Sequence, residues 1–260
     1  MNEPIPYNKW LGVWTLYSRE VRRFTKVYNQ TVVAPVVTTL LFLAIFAVSL
    51  GQSVATIAGV PFLEFLAPGL IMMAIAQNAF ANTSSSLIIA KIQGNIVDTL
   101  MPPLNAHELT LGIAFGGVTR GVAVGIAVSL AIRLFVPFGL HSAFFLAYHA
   151  VAASLMLSLL GIAGGIWAEK FDHIAAITNF IVTPLAFLSG TFYSVERLPA
   201  LARWLAHANP FFFMIDGFRY GFIGHSDADP VVGLAVLAAV DAGLWVLCYW
   251  MFASGYKLKT

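Results

Sequence analysis

The amino-acid sequence predicts an all-α membrane protein with six transmembrane helices. Of its 260 residues, 59% are apolar and only 10% are charged, whereas soluble domains contain roughly 25% charged residues. Six runs almost free of charge are long enough to span, since a spanning helix needs about 20 apolar residues to cross a hydrocarbon layer roughly 30 Å thick. The composition therefore argues against a soluble enzyme, a nucleic-acid binder or a disordered protein.

The six predicted spans lie at residues 31–50, 65–90, within 109–137, within 142–168, at 174–193 and at 230–253. We expect a single transmembrane domain over residues 1–260, made of an N-terminal segment (1–30), the six-span core (31–253) and a short tail (254–260). Because the number of spans is even, both termini are expected on the same side of the membrane.

The placement of lysine and arginine predicts that this side is the cytoplasm. Short cytoplasmic segments next to the spans carry an excess of these residues. Nine fall on the side of the termini: Lys9, Arg19, Arg22, Arg23, Lys26, Lys91, Lys170, Lys257 and Lys259. Three fall on the opposite side, all in the connection before the last span: Arg197, Arg203 and Arg219.

The N-terminal segment contains an amphipathic helix. Apolar and aromatic residues recur every three or four positions, as on one face of a helix: Trp10, Trp14, Tyr17, Val21, Phe24 and Tyr28. The basic residues, among them Arg19 and Arg22, lie off this stripe. A basic amphipathic helix with aromatic anchors lies in the headgroup region, so we expect an elbow helix on the cytoplasmic leaflet. The alternative is a helix that packs on a partner in water.

The second span carries a polar face. Asn78 and Asn82 lie one helical turn apart, and Gln77 is adjacent to the first. An uncompensated amide in an apolar medium costs several kcal/mol, so this face is expected to turn inward. It lines either a substrate path or a hydrogen-bonded contact between helices, and the sequence leaves both interpretations open.

Small residues recur at four-residue spacing in the third and fourth spans: Gly112, Gly116, Gly117, Gly121, Gly125, Ser154, Ser158, Gly161 and Gly165. Such spacing lets helix backbones approach closely. We therefore interpret these residues as packing surfaces rather than as a functional site.

Three charges fall inside predicted spans, Arg120 and Arg133 in the third and Asp241 in the sixth, and the two costly ones are Arg120 and Asp241. Each costs about 2.5–3.5 kcal/mol at the centre of a bilayer. Each lies 11 residues from the start of its span, counted from opposite sides, so both reach a depth of about 16 Å at the helical rise of 1.5 Å. We expect them to form an intramembrane ion pair. The alternative is that the third helix begins in the cytoplasm and lets Arg120 extend to the surface.

The connections between spans contain two further elements. Residues 91–108 (KIQGNIVDTLMPPLNAHE) begin with a short amphipathic segment that Pro102 and Pro103 end. A helix this short is marginal alone, which predicts that it docks on another structure. Residues 194–229 mix apolar stretches with prolines, which predicts short helices that dip back into the outer leaflet.

The motifs of several enzyme classes are absent from the sequence. It has no GxxxxGK[ST] phosphate loop, no HExxH and no GxSxG. Its single cysteine, Cys248, excludes an intramolecular disulfide, and a net charge of +2 offers no polycationic face for nucleic acid. We therefore predict no catalytic residues, no metal site and no cofactor in this chain.

The ordered motifs resemble those of ABC-2 type transporter permeases over about 240 residues. The similarity is carried by Asn209-Pro210-Phe211 with Asp216-Gly217-Phe218-Arg219-Tyr220-Gly221, by FLEFLAPGLIMM, by AKIQGNIVDTLMPPLNAHE and by WAEKFDHIAAITNFIVTPLAFLSGTFYSVERLP. Within the family, the sequence looks most like the bacterial YadH-like branch, and it is similar to nodulation-factor and polysaccharide exporters.

The resemblance implies a permease subunit of an ATP-driven exporter in the bacterial inner membrane. Two copies would associate with each other and with two copies of a cytoplasmic ATPase, which would hold the ATP and Mg²⁺. The cargo would be a lipid-linked saccharide, a glycolipid or a hydrophobic drug, and membrane lipid would surround the dimer.

The same resemblance assigns expected roles to individual residues. Coupling to the ATPase would involve Lys91, Gln93, Asn95, Asp98, Arg19 and Arg22. The translocation path would be lined by Gln77, Asn78, Asn82, Thr178 and Asn179. The outer gate would contain Asn209, Pro210, Asp216 and Arg219.

Two other classes of protein compete with this interpretation. A secondary carrier that works without ATP is expected to show inverted repeats and broken helices at the midplane, and the sequence has no convincing internal repeat. An intramembrane enzyme needs catalytic residues clustered at one depth, and Asp241 with scattered histidines does not supply such a cluster.

Overall fold

The chain folds into a bundle of long helices. A computed structural model describes residues 9–50, 56–57 and 59–258. Residues 1–8 of the N-terminal segment, the side chain of Lys9 and the whole of Lys259 lie outside this part.

Within the described residues, six helical segments are long and apolar enough to cross a membrane, as the sequence predicted. They are Asn29–Ser49, Phe62–Ile92, Ala106–Arg133, Ala143–Trp167, Phe171–Leu188 and Pro230–Ser254. Five of them are made of the α-helices α2 (Ala34–Leu50), α3 (Phe62–Ile92), α5 (Ala106–Arg133), α6 (Ala143–Trp167) and α11 (Pro230–Ser254), with a π-helical turn Asn29–Val33 before α2.

The fifth span is built from three pieces and ends earlier than expected. It consists of α7 (Phe171–Ile177), a π-helical turn (Thr178–Val182) and α8 (Thr183–Leu188). The backbone of Gly190 has φ +73°, a left-handed conformation that glycine adopts readily and that ends helices. The predicted extension to residue 193 is therefore replaced by a turn.

Shorter helices occupy the two connections that the sequence marked. They are α4 (Ile96–Leu100), a 3₁₀ turn (Val195–Arg197), α9 (Ala200–His207) and α10 (Pro210–Ile223), and the N-terminal segment forms α1 (Lys9–Thr25). Two short strands, β1 (Thr56–Ile57) and β2 (Val60–Pro61), pair antiparallel with Thr56 opposite Pro61. At 1.5 Å per residue α10 is only about 21 Å long, too short to cross a membrane.

The core of the bundle is formed by α3, α5 and α6. Glycines allow the close approach: a Cβ on Gly121 would lie 2.8 Å from Oγ of Ser154 and 3.1 Å from the carbonyl oxygen of Ile75. A Cβ on Gly161 would lie 2.7 Å from the carbonyl oxygen of Phe80. The packing interpretation of these small residues is confirmed.

Helix α10 is enclosed by the bundle and not placed on its surface. Eleven of its residues, Phe211–Gly217, Phe218, Arg219, Gly221 and Phe222, are buried. They pack against α3, α6 and α11. By contrast α2, the fifth span and α11 are mostly exposed, which leaves them available to lipid or to another protein chain.

We expect Gly161→Ala to lower the free energy of unfolding by about 1–3 kcal/mol, the usual cost of overpacking a tight interface. The added methyl group would meet the backbone of α3, which cannot move aside. Thermal unfolding of the purified protein in detergent measures the effect. Gly243→Ala is the matched control, because among the described residues no other element comes within 4 Å of the Cβ position of Gly243 on α11. Equal unfolding temperatures for the two variants would contradict the prediction.

Candidate functional site

Helix α1 docks on α5 through one face and leaves Trp10 and Trp14 exposed on another. Its buried residues are Val13, Leu16, Glu20 and Phe24, whereas Trp10 and Trp14 are 76% and 63% exposed. The glycines of α5 allow this close contact, because a Cβ on Gly112 would lie only 2.7 Å from Cδ2 of Leu16. Of the predicted stripe, Phe24 is buried and Tyr17 and Val21 are half-buried. The hydroxyl of Tyr17 lies 3.0 Å from that of Thr119.

A buried carboxylate joins α1 to α3. Glu20 is fully buried, and Oε1 accepts a hydrogen bond from the hydroxyl of Ser86 at 2.8 Å. Arg23 lies beside it, with Nη2 3.2 Å from Oε2 of Glu20. The same guanidinium donates to Ser85 Oγ at 3.1 Å and to Asn82 Oδ1 at 3.0 Å. We call Glu20, Arg23, Asn82, Ser85 and Ser86 the Glu20 cluster.

Arg19 connects the Glu20 cluster to α4. Its Nη2 lies 3.3 Å from Oε1 of Glu20, and its Nη1 donates to the hydroxyl of Thr99 at 3.0 Å. Thr99 and Ile96 form the buried side of α4. One guanidinium therefore bridges α1, the Glu20 carboxylate and α4.

The outer side of α4, together with the residues that flank this helix, is exposed and has both apolar and polar residues. Ile92, Val97 and Met101 are 51%, 52% and 76% exposed, and Asn95 and Asp98 are exposed beside them. The apolar residues of the predicted amphipathic segment therefore face two ways: Ile96 is packed inward, whereas Val97 is exposed.

A groove of about 890 Å³ separates α1 from the end of α3 and α4. It brings together five of the six residues expected to couple to an ATPase: Arg19, Arg22, Gln93, Asn95 and Asp98. We call it the α1–α4 groove.

Lys91, the sixth of these residues, faces the interior instead. It is buried, and its Nζ donates to the carbonyl oxygens of Ile166 at 2.7 Å and Ala168 at 2.6 Å. The last carbonyls of a helix lack partners within the helix, and a lysine satisfies them while complementing the helix dipole. Lys91 therefore holds the end of α6 and does not contribute to the exposed surface.

The residues expected to line a path separate into three groups. Gln77 and Asn78 line a cavity of about 290 Å³ between α2, α3 and the end of the fifth span, which we call the α2–α3 cavity. Asn82 belongs to the Glu20 cluster. Thr178 and Asn179 lie on the π-helical turn of the fifth span, where the Thr178 hydroxyl donates to the Ile174 carbonyl at 2.9 Å. The fifth-span region contributes Phe187 and Phe192 to the cavity.

Arg120 and Asp241 have different neighbours. Nη2 of Arg120 donates to Oδ1 of Asn78 at 2.9 Å, and no ion pair joins Arg120 to Asp241 among the residues described. Asp241 lies on the buried face of α11 with Cys248, whose thiol donates to the Leu159 carbonyl of α6. Equal depth sets only the height of two side chains, and the rotation of each helix decides what they face.

The four residues expected at the outer gate all hold α10 in place. Asn209 caps the helix by accepting from the Phe211 amide at 3.0 Å, and Pro210 occupies its first turn. Asp216 accepts from the amide of Asp227 at 2.8 Å, which closes the loop before α11. Arg219 donates to the carbonyls of Gly190 at 2.6 Å and Phe65 at 3.3 Å, so it ties the start of α3 to the turn after the fifth span.

Glu20 and its two arginine partners are the functional candidates that sequence analysis missed as a group. The available signal was an acidic residue in line with Leu16 and Phe24 on a basic helix, which predicts burial of the acid with those residues. The aromatic residues Trp10 and Trp14 define a neighbouring face of the helix, so the stripe assigned from them did not include Glu20.

The charged residues of this region make contacts between helices. Within the described part of the chain, no three His, Cys, Asp or Glu side chains form a group suited to a metal ion. The charged residues instead connect α1, α3 and α4 at the end of the bundle that carries the exposed α4 surface.

Comparison with known proteins agrees with these features. Residues 12–223 match the model of the family described as ABC-2 type transporter. The chain is 38% identical over 251 residues to the inner membrane transport permease YadH of Escherichia coli strain K12, covering 96% of this chain and 98% of that protein. It is 20% identical over 229 residues to nodulation protein J of Neorhizobium galegae, covering 88% and 86% of the two chains.

Another nodulation protein J, from Rhizobium leguminosarum biovar viciae, is 22% identical over 231 residues, with 88% and 87% of the two chains covered. The family match, the near full-length similarity to a permease and the six apolar helices lead to one conclusion. The chain belongs to the ABC-2 type transporter family and is a multi-pass inner-membrane transport permease.

Proposed function

We propose that this permease is the membrane half of an ATP-driven exporter. Two copies of the chain would bind two copies of a separate cytoplasmic ATPase, with both termini of each permease in the cytoplasm. The sequence has no phosphate loop, so hydrolysis of ATP is assigned to the partner. The similarity to nodulation-factor and polysaccharide exporters favours a lipid-linked saccharide or glycolipid as cargo, with hydrophobic drugs as the other class.

The observation that carries this proposal is the exposed surface of α4 and its connection to α1. A helix of five residues is not stable by itself, yet Ile92, Val97 and Met101 remain exposed at this end of the bundle. Exposed apolar residues rimmed by polar ones are typical of a protein-binding surface. We assign this surface, with Asn95 and Asp98, to contact with the ATPase.

The proposed transport cycle uses the links between α4 and the bundle. Closure of the ATPase would displace α4, and the Arg19–Thr99 hydrogen bond would pass the displacement to α1. The Glu20 cluster would pass it on to α3, which also lines the α2–α3 cavity. A switch between two discrete packings of this kind is a common way to move an element with a ligand.

The α2–α3 cavity is the proposed part of the translocation path. It is bordered by polar side chains, Gln77 and Asn78, and by the exposed helix α2. We propose that the second copy packs against this side, so that the two cavities face each other across a shared path. Polar residues on an exposed membrane face would then be shielded from lipid.

The double variant Asn95→Ala/Asp98→Ala should weaken ATPase binding about tenfold, equivalent to 1.4 kcal/mol. The reason is that two exposed polar groups of the α4 surface would be lost while the buried residues Ile96 and Thr99 remain. Affinity purification of the tagged permease from native membranes in mild detergent, with quantification of the retained ATPase, gives the measurement.

The control for this variant is Asp172→Ala, which removes an exposed acid on α7 that does not line the α1–α4 groove. It should retain the ATPase as the unaltered protein does. Full retention by the double variant would move the contact away from α4.

The purified permease should hydrolyse no ATP by itself, because the site for the nucleotide is assigned to another chain. Activity should appear when the co-purified ATPase is added back. A steady release of phosphate by the permease alone, in a preparation free of other proteins, would disprove the division of labour between two chains.

Removal of the buried carboxylate should destabilise the attachment of α1. We expect Glu20→Gln to lower the free energy of unfolding by about 1.5–3 kcal/mol, the usual contribution of hydrogen bonds to a charged group. A double-mutant cycle with Ser86→Ala, measured by unfolding in detergent, should give a coupling of about 0.5–3 kcal/mol. Strict additivity of the two changes would show that the 2.8 Å contact between Glu20 and Ser86 carries no energy.

A further inference from the structure

A second groove, separate from the sites above, lies between α5, α6 and α10. It has a volume of about 410 Å³ and an almost entirely apolar lining. Its walls include Val122, Ile126, Leu130, Val151, Phe218 and Phe222. We call it the α5–α6 groove.

The floor of this groove is deep because α5 approaches α3 at a glycine. A Cβ on Gly125 would lie 2.5 Å from Cγ1 of Ile75, so the bare backbone of Gly125 and the side chain of Ile75 together form the floor. Ile126 and Val151 at the rim are 57% and 46% exposed. The groove therefore opens to the surroundings of the helices, which for spans this apolar is the lipid phase.

The length of the groove matches one leaflet. Along α5 the lining extends from Val122 to Arg133, the last residue of the helix. These eleven steps of 1.5 Å give about 16 Å, which is half of a hydrocarbon core roughly 30 Å thick. The groove lies at the end of α5 opposite α4, so it faces the leaflet farther from α1 and α4.

The side chain of Arg133 lies at the end of the groove. Arg133 is exposed, and among the described residues it has no side-chain hydrogen bond or ion pair. Its guanidinium suits a phosphate group, to which arginine donates two parallel hydrogen bonds. The carbonyl groups at the end of a helix repel anions, so a phosphate at this position depends on the arginine.

We propose that the α5–α6 groove binds one phospholipid of the leaflet farther from α1 and α4. An acyl chain lies along the apolar lining from Leu130 toward Val122, and the phosphate is held by Arg133. The length of the apolar lining matches an acyl chain that extends through one leaflet. Arg133 at the end of the lining matches a phosphate at the level of the headgroups. Because Phe218 and Phe222 form one wall, the bound lipid supports α10, the helix that carries Asp216 and Arg219.

The test compares retained lipid in the intact permease and three variants. Each protein is purified in mild detergent, incubated with phosphatidylglycerol or with diacylglycerol of the same acyl chains, and examined by native mass spectrometry. Arg133→Gln removes the cation, and Ile126→Trp fills the groove. Arg197→Gln is the matched control, because it removes another exposed arginine outside the groove.

We expect the unaltered protein to bind phosphatidylglycerol at least about fivefold more tightly than diacylglycerol, the effect of one basic residue on an anionic lipid. Arg133→Gln should abolish this preference, Ile126→Trp should reduce binding of both lipids, and Arg197→Gln should change neither. Equal binding of the two lipids by the unaltered protein would overturn the proposal. Unchanged binding by Arg133→Gln would also overturn it, and so would unchanged binding by Ile126→Trp.

Two checks separate loss of the site from loss of the fold. Each variant is required to elute as a single species and to unfold within a few degrees of the unaltered protein. Arg133 is exposed at the end of α5, so its replacement leaves the core intact and keeps the test decisive if Ile126→Trp fails to fold.

Discussion

Close contact between α3, α5 and α6 is the constraint on which the other contacts of this protein depend. In a bilayer, lipid tails are as apolar as leucine, so helices are held together by van der Waals packing and hydrogen bonds. Gly121 and Gly161 let the backbones meet with almost no side chain between them. Glycine also lets α1 approach α5, because Leu16 of α1 packs directly against Gly112. Packing of the core thus decides where the peripheral helix binds.

Most polar residues in the spans form hydrogen bonds with polar groups of the same or neighbouring helices. The Thr83 hydroxyl donates to the Ser158 carbonyl at 2.8 Å, which connects α3 to α6 across the core. Asn78 accepts from Arg120, so an arginine inside a span finds an amide partner in place of an acid. Of the polar face on α3, only Gln77 is exposed along the α2–α3 cavity. The interpretation of an interhelical contact therefore applies to Asn78 and Asn82, and Gln77 is the residue of this face that is open to the proposed path.

The sequence predicted the parts of the fold that depend on one helix at a time. Length and hydropathy determine a span regardless of its neighbours, and all six predicted spans overlap those of the structure, although the fifth ends at Leu188 and not at residue 193. Features that depend on the rotation of a helix were harder to predict. The aromatic stripe through Trp10 and Trp14 was assigned to the membrane interface, but its spacing did not reveal that the neighbouring face with Leu16 and Glu20 packs on α5. Lys91 was expected at the exposed surface, but its side chain donates to a carbonyl at the end of α6. The sequence does not reveal which carbonyl groups lack a partner, so this contact could not be predicted. The candidate site was predicted by segment and only in part by residue.

The strength of the link between α4 and the bundle can be bounded from its bonds. Glu20 is fully buried, whereas the side chains of Arg19 and Arg23 are 47% and 33% exposed. Partial exposure reduces the contribution of each arginine, because water screens the charge. A hydrogen bond to a charged group contributes about 1.5–3 kcal/mol at most, so displacement of Thr99 can transmit only a few kcal/mol through Arg19. This range matches the coupling free energies of about 1–3 kcal/mol that are typical between distant sites. A covalent or wholly buried connection would be stiffer, but it would also resist the reversal that the proposed transport cycle requires.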